Sequence, residues 1–143
     1  MTDFFTTSLS DNEIDRYSVL SLAYIGDGVF ELMTRTHLAL LGNTTSFGLH
    51  KKTTGIVCAA SQAKAARAIR NELREDEAAI FLRGRNQKPK SIPKHAETAD
   101  YYYATALEAL FGWLFLKGRG ERLNELFQSV IKACGDQKKE CAD

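Results

Sequence analysis

Apolar residues recur along this chain at intervals of three and four, and no strand-length run alternates apolar with polar residues. Intervals of three and four place apolar side chains on one face of an α-helix, whereas alternation is typical of a β-strand. Both prolines, Pro89 and Pro93, fall within one polar stretch at residues 84–97, which we interpret as a loop. We therefore expect an all-α protein.

Glycines, capping residues and acidic first turns indicate where the helices begin and end. Five helices are predicted. The first has the apolar face Leu22, Ile25, Val29, Leu32 and Met33 and stops at Gly42-Asn43, and the second is long and runs from the N-cap Ser46 to Ile69. The third is short, from Glu75 to Gly84, the fourth spans 98–117, and the fifth is amphipathic and ends at Gly135. The helix over 98–117 is apolar nearly all round, which indicates burial at the centre of the domain.

Length and composition favour one domain with one ordinary core, because the chain has 143 residues of which 44% are hydrophobic. We expect an N-terminal segment over 1–17, the functional domain over 18–134 and a charged C-terminal tail over 135–143. The formal net charge is +1, so affinity for a polyanion must come from where the charges lie rather than from their total.

Several classes of protein are disfavoured by simple counts. The three cysteines and three histidines share no metal-ligand spacing, so no structural zinc site is expected. The N-terminus lacks the basic start of a secretory signal. The most apolar stretch, 101–116, contains Glu108 and is shorter than the roughly 20 residues that cross a bilayer. We expect a cytoplasmic protein without a membrane span.

Two carboxylates interrupt apolar helices. Asp27 is the only charged residue between Val19 and Phe30, and Glu108 is the only one within 101–116. Because an unpaired buried carboxylate costs several kcal/mol, such a group is normally protonated, paired with a cation or bound to a metal. Magnesium takes one or two protein carboxylates and fills its other positions with water and phosphate. The two acids together therefore predict a shared Mg2+ site.

Each acid also has an ordinary explanation. Asp27 stands between two glycines, which close helix packing alone could explain, and it could cap a helix that begins there. Glu108 could stay neutral or bond a tyrosine hydroxyl from 101–103. Glu31, four residues after Asp27, could join the site or pair with Arg35 on the surface.

A basic stretch begins at the end of the predicted third helix and has no acidic residue before Glu97. Its members are Arg83, Arg85, Lys88, Lys90 and Lys94, and Lys51 and Lys52 stand at the start of the preceding long helix. Such residues can follow a phosphate backbone and release counterions from it, which gives salt-sensitive and largely sequence-independent affinity for RNA. The same run is also compatible with an ordinary solvated surface.

These segments resemble the ribonuclease III family. Residues 22–31 (LAYIGDGVFE) resemble its signature helix, and residues 106–112 (ALEALFG) resemble its second catalytic helix. The segments at 49–52 and 83–86 also match, in the same order, and the resemblance runs from about residue 20 to about residue 126. Because the chain ends where longer members add a double-stranded-RNA-binding domain, it is most similar to the short subfamily called Mini-ribonuclease III.

The resemblance implies the all-α endonuclease-domain fold of ribonuclease III, a homodimer formed through the signature helix, and one active site per subunit. It implies Mg2+-dependent hydrolysis of double-stranded RNA to 5′-phosphate and 3′-hydroxyl ends, in precursors of 23S ribosomal RNA. Carried over by position, Asp27 and Glu108 become the catalytic metal ligands. Ala23 and Thr105 stand where longer members have two further carboxylates, so the number of bound metal ions stays open.

Two other functions are compatible with parts of this pattern. A catalytically silent module on the same fold would bind duplex RNA or the ribosome without cutting RNA. A helical nucleotide hydrolase would also use carboxylates and magnesium, but it is expected to carry clustered Glu-x-x-Glu or His-Asp ligands, and the sequence has a single Glu-x-x-Glu, at 72–75, and no His-Asp pair.

Overall fold

The computed structural model describes residues 1–42, 45–87 and 98–134, and in these ranges the regular structure is helical, with no strand. The helices are α1 (Asp11–Ile14), α2 (Val19–Leu41), α3 (Ser46–Val57), α4 (Ala59–Ile69), α5 (Glu75–Arg85), α6 (Thr98–Leu116) and α7 (Gly120–Cys134), with a 3-10 turn at Arg70–Glu72. The prediction of an all-α fold is confirmed. None of these helices is both long and apolar enough to cross a membrane.

Helix α6 forms the centre of the molecule, with α2, α4 and α5 packed around it. Its side chains at Leu107, Leu110 and Leu114 are fully buried, and so is Phe111, which meets Phe30 of α2 edge to face. A helix surrounded on several sides has no polar face to present, which explains why its sequence is apolar nearly all round. The sequence-based prediction of a central fourth helix is therefore correct.

Helix α2 begins and ends at local signals in the sequence. The Ser18 side chain accepts a hydrogen bond from the backbone N–H of Ser21, which satisfies a donor at the start of the helix. Gly42 ends the helix with a φ of 74°, in the left-handed region that glycine tolerates best. Asn43, the second residue of the predicted stop, lies outside the described residues.

The predicted long helix over residues 46–69 is wrong, because the chain is extended at Cys58 and forms two helices, α3 and α4. At the break the Ser61 hydroxyl donates a hydrogen bond of 2.7 Å to the Gly55 carbonyl oxygen, an acceptor that a continuous helix would pair with a backbone N–H. The predicted N-cap is also displaced by one residue. Thr45, not Ser46, caps α3 by accepting a hydrogen bond from Gly48 N–H at 3.0 Å.

Helix α5 is held against α7 by a buried ion pair. Glu77 has no exposed surface, and its carboxylate accepts hydrogen bonds of 2.9 and 3.0 Å from the guanidinium of Arg122. The same carboxylate accepts from Arg74 N–H at the start of α5. Because breaking such a pair leaves an uncompensated buried charge, this contact fixes the position of α5 beside the core.

Candidate active site

Helices α2 and α6 cross with their backbones in contact, and two glycines make this possible. A Cβ atom on Gly26 would overlap the carbonyl oxygen of Glu108 and lie 2.8 Å from the Gly112 nitrogen. A Cβ atom on Gly112 would overlap the carbonyl oxygen of Leu22 and lie 2.9 Å from the Gly26 nitrogen. Any side chain at either position would force the helices apart. The close-packing explanation of the glycine at position 26 is therefore correct.

This crossing brings together the two acids that the sequence singled out. Asp27 directly follows Gly26, and Glu108 is the residue whose backbone Gly26 faces. Burial, the negative charge of Asp27 and a hydrogen bond with the Asp27 side chain together raise the pKa of Glu108 to about 8, with burial the largest of the three causes. Asp27 is exposed while Glu108 is partly buried, so the pair opens to solvent on the Asp27 side.

Two of the ordinary explanations do not hold. Asp27 lies in the interior of α2, which begins at Val19, so it does not cap that helix. Glu108 shares its hydrogen bond with Asp27 rather than with a tyrosine, and the hydroxyl of Tyr103 accepts from Arg70 instead. The explanation that Glu108 is neutral fits the cation-free protein, because a carboxyl group with a pKa near 8 is mostly protonated at neutral pH.

No further acid joins this pair within the described residues. The carboxylate of Glu31 lies 3.7 Å from the guanidinium of Arg35, and both side chains are about half exposed. Ala23 and Thr105, at the two positions where the resemblance implies acids in longer proteins, are both buried, and the Thr105 hydroxyl donates to the Tyr101 carbonyl oxygen. In the part of the chain that the structure describes, no three potential metal ligands cluster.

Two convergent carboxylates are nonetheless a suitable donor set for magnesium. This ion needs few protein ligands, because water and substrate phosphate complete its octahedral shell. A divalent cation beside Glu108 and Asp27 would replace the proton that Glu108 holds and would remove the repulsion between the two groups. The residues present therefore fit the predicted Mg2+ site, whose occupancy stays a prediction.

The raised pKa of Glu108 predicts how stability depends on pH without a divalent cation. Between about pH 4.5, where the carboxyl group ionises in the unfolded chain, and about pH 8, the folded chain holds a proton that the unfolded chain has lost. The free energy of unfolding should therefore be highest below this window, fall by a few kcal/mol across it and level off above it. Urea unfolding in EDTA at several pH values measures this.

The Glu108→Gln variant is the control, because the amide is neutral at every pH and its profile should lack this fall. Wild-type and variant profiles that run parallel across the window would contradict the assignment of a raised pKa to Glu108.

The structure describes only part of the predicted basic surface. Lys51 and Lys52 are exposed on α3, Arg83 is exposed near the end of α5, and Arg85 is partly buried beside Tyr103. Lys88, Lys90 and Lys94 lie outside the described residues. Whether any of these residues binds RNA stays a prediction.

Sequence reasoning missed two arginines, Arg67 of α4 and Arg70 of the following 3-10 turn. Both lie with Arg85 around Tyr103. The sequence offers one indication of this pair, the separation of three residues, which places both arginines on one side of a helical segment. That signal did not indicate that α5 and α6 would supply the remaining members of the group.

Comparison with known proteins identifies the family to which this geometry belongs. The Ribonuclease III domain family matches residues 20–119, which include α2, the crossing with α6 and both acids. The chain belongs to the ribonuclease III family. Ribonuclease III enzymes are endoribonucleases that act on double-stranded RNA. The resemblance inferred from the motif segments is thereby confirmed.

Individual relatives of this ribonuclease III chain cover most of its length. A Mini-ribonuclease 3 of Clostridium tetani is 37% identical over 129 residues, which make up 90% of this chain and 85% of the relative. A Mini-ribonuclease 3 of Thermoanaerobacter is 40% identical over 127 residues, which make up 89% of each chain. A crystal structure of a protein from Fusobacterium nucleatum superposes with a TM-score of 0.76 at 33% identity, covering 83% of this chain and 95% of the other.

Proposed function

We propose that this chain hydrolyses phosphodiester bonds of double-stranded RNA with the help of Mg2+ and leaves 5′-phosphate and 3′-hydroxyl ends. Asp27 and Glu108 are the catalytic residues and the metal ligands in this proposal. The observation that carries it is the meeting of these two carboxylates at the α2–α6 crossing of a ribonuclease III domain.

The chain contributes position and charge to this reaction. Gly26 and Gly112 fix the separation of the helices, and Glu108 would release its proton to solvent on cation binding and become a second negative ligand beside Asp27. A bound Mg2+ would supply Lewis acidity at the phosphate and lower the pKa of a water molecule. In the overall reaction water oxygen forms the new bond to phosphorus, the bond from phosphorus to the 3′-oxygen breaks, and the proton that the attacking water loses to solvent is matched by the proton that the 3′-oxygen takes up. No protein nucleophile is needed.

Duplex selectivity in this proposal rests on shape. An A-form duplex presents phosphates and 2′-hydroxyls across a wide, shallow minor groove, and cations spread over the protein surface can follow them. Lys51 and Lys52 lie on α3 and Arg83 and Arg85 lie on α5, and we include Lys88, Lys90 and Lys94 on sequence grounds. Precursor 23S ribosomal RNA in the cytoplasm is the substrate and location that we propose from the resemblance to the short subfamily.

We also propose that two copies of the chain associate through α2. Of the apolar face predicted for this helix, Leu22 is buried in the core, whereas Ile25, Val29 and Met33 pack against the core with one side and line an open apolar groove, together with the exposed Leu32, with the other. Leu32 is 54% exposed, and the groove continues to Phe4 and Phe5, which are 81% and 79% exposed. A second copy of the same face would remove this apolar surface from water.

Replacing Leu32 with aspartate should therefore convert the dimer into a monomer, because two carboxylates would be buried at the symmetric interface. Sedimentation equilibrium of the wild type and the variant measures this. The control is Phe47→Asp, which puts the same charge on an exposed aromatic of α3, 78% exposed, and should leave the dimer intact. A wild type that sediments as a monomer at all concentrations would contradict the proposed association.

The test of the nuclease proposal is incubation of the purified protein with a folded ribosomal precursor RNA, with and without magnesium, followed by mapping of the cut ends. We expect cuts within duplex segments, only with magnesium, and 5′-phosphate ends. Binding of the duplex without any cut would favour the catalytically silent module. Turnover of nucleoside triphosphates without RNA cleavage would favour the nucleotide hydrolase.

A further inference from the structure

Three arginines from two segments of the chain surround one tyrosine of α6. The Arg70 guanidinium donates a hydrogen bond of 3.0 Å to the Tyr103 hydroxyl, and the guanidinium carbon of Arg67 lies 4.5 Å from the ring centroid. Arg85, from the end of α5, places its guanidinium carbon 5.9 Å from the same centroid. We refer to Arg67, Arg70, Arg85 and Tyr103 as the Tyr103 cluster.

The positive charge of the Tyr103 cluster is only partly balanced by acids in the described residues. Arg67 pairs with Asp100 at 3.2 Å, whereas Arg70 and Arg85 have no carboxylate within 4.0 Å in the described ranges. Arg70 therefore has a neutral phenol as its acceptor, and Arg85 lies over the ring of the same tyrosine. The guanidinium of Arg85 holds the pKa of Tyr103 below its usual range, and the charges of Arg70 and Arg67 act in the same direction, which agrees with a strongly positive local potential. An anion is the ligand that such a group of charges favours.

The Tyr103 cluster combines a tyrosine held in place by packing with accessible cations. The Tyr103 ring is partly buried and packs against Phe81 with ring centroids 6.3 Å apart, so its hydroxyl has a defined position. Arg67 and Arg70 are exposed, and a shallow concavity beside them is lined by Lys64, Arg67 and Asp100. One guanidinium group can donate to two oxygens of the same phosphate, which makes a phosphate the anion that this geometry suits best.

We propose that the Tyr103 cluster binds a backbone phosphate of duplex RNA other than the one that is cut. This inference rests on the proposed function. Arg85 belongs to the basic stretch that begins at Arg83, and Lys64 extends the positive surface one turn along α4. Lys64, Arg67 and Arg70 follow each other at intervals of three residues along α4 and the 3-10 turn, and such a row of cations suits successive phosphates of a polymer better than a single small anion.

The Tyr103 cluster is separated from the acids on α6 itself. Five residues, from Tyr103 to Glu108, correspond to a rotation of about 140° and a rise of about 7.5 Å on an α-helix. The contacted phosphate is therefore distinct from the scissile one. Loss of the cluster should weaken binding without changing the chemical step.

The test is duplex RNA binding in EDTA, measured by fluorescence anisotropy at several salt concentrations, for wild type and an Arg70→Gln/Arg85→Gln variant. We expect the variant to lose about tenfold or more in affinity and the salt dependence to flatten by about one counterion, because one phosphate contact is lost. The control, Arg16→Gln/Lys132→Gln, removes the same charge from two exposed positions and should change both quantities far less. Equal losses in both variants, or no loss in either, would overturn the proposal.

Two further arms keep the outcome unambiguous. If thermal unfolding shows that the glutamine variant is misfolded, Arg70→Lys/Arg85→Lys replaces it. This variant keeps the charge but loses the paired guanidinium donors, so it should lower the affinity with little change in the salt dependence. Unchanged affinity would overturn the proposal. Adenosine monophosphate and inorganic phosphate test the other source of a phosphate. Cluster-dependent binding of either one, with RNA affinity unaffected, would overturn the RNA assignment. The binding test in EDTA does not depend on cleavage. A failed nuclease proposal would show in the separate incubation with magnesium, where the wild type would bind the duplex without cutting it.

Discussion

Replacing Glu108 with glutamine should lower the rate of duplex RNA cleavage by about a thousandfold at saturating substrate while duplex binding is retained. The amide keeps the shape of the side chain but removes the negative charge, and losing a ligand that stabilises the metal costs several kcal/mol in the transition state. Asp27→Asn should have an effect of similar size, because the proposed mechanism gives both groups the same ion and the two side chains interact in the structure. Single-turnover cleavage of a labelled duplex measures the rate directly.

Glu31→Gln is the matched control for this pair. Glu31 lies on the same helix as Asp27, but its carboxylate pairs with Arg35 at the surface, so the amide should change the rate by no more than a few-fold. A Glu108→Gln protein that cuts at the wild-type rate would exclude the carboxylate from catalysis. Equal losses in Glu31→Gln and Glu108→Gln would instead indicate a three-acid site.

Replacing Gly26 with alanine should be the most destabilising single-methyl substitution in α2. The added Cβ would overlap the Glu108 carbonyl oxygen, which is backbone and cannot rotate away, so the helices must separate. We expect a loss of about 3 kcal/mol or more in the free energy of unfolding. We also expect loss of cleavage, since the same shift moves Asp27 away from Glu108. Urea unfolding measures the first effect.

The control for this substitution is Gly55→Ala in α3. A Cβ on Gly55 meets nothing within 4 Å, so this variant should be neutral or gain up to about 1 kcal/mol from better helix propensity. If Gly26→Ala is as stable as Gly55→Ala, the backbone contact between α2 and α6 does not control the geometry of the site.

Sequence periodicity predicted those elements whose character does not depend on their neighbours. The sequence indicates the central position of α6 because a helix that is apolar on all sides is buried on all sides. The break at Cys58 was missed because it depends on a hydrogen bond between Ser61 and Gly55 that competes with the helical one. Apolar spacing continues through the break and therefore could not reveal it.

In the candidate site, too, the sequence indicates single residues but not the contacts between helices that bring them together. Isolation in apolar segments singled out Asp27 and Glu108, but their meeting depends on how closely two helices approach, which Gly26 and Gly112 decide jointly. Neither glycine reveals its partner when the sequence is read alone. The Tyr103 cluster was beyond reach for a related reason, because its members come from three helical segments and converge only in the folded chain.

Binding of a divalent cation to the purified protein tests the joint role of Asp27 and Glu108 most directly, without RNA or turnover. Titration calorimetry with Mn2+ and Mg2+ should show saturable binding to the wild type and at least about tenfold weaker binding to both Asp27→Asn and Glu108→Gln, with Glu31→Gln unchanged. Wild-type affinity in both single variants would mean that these two carboxylates do not share a cation.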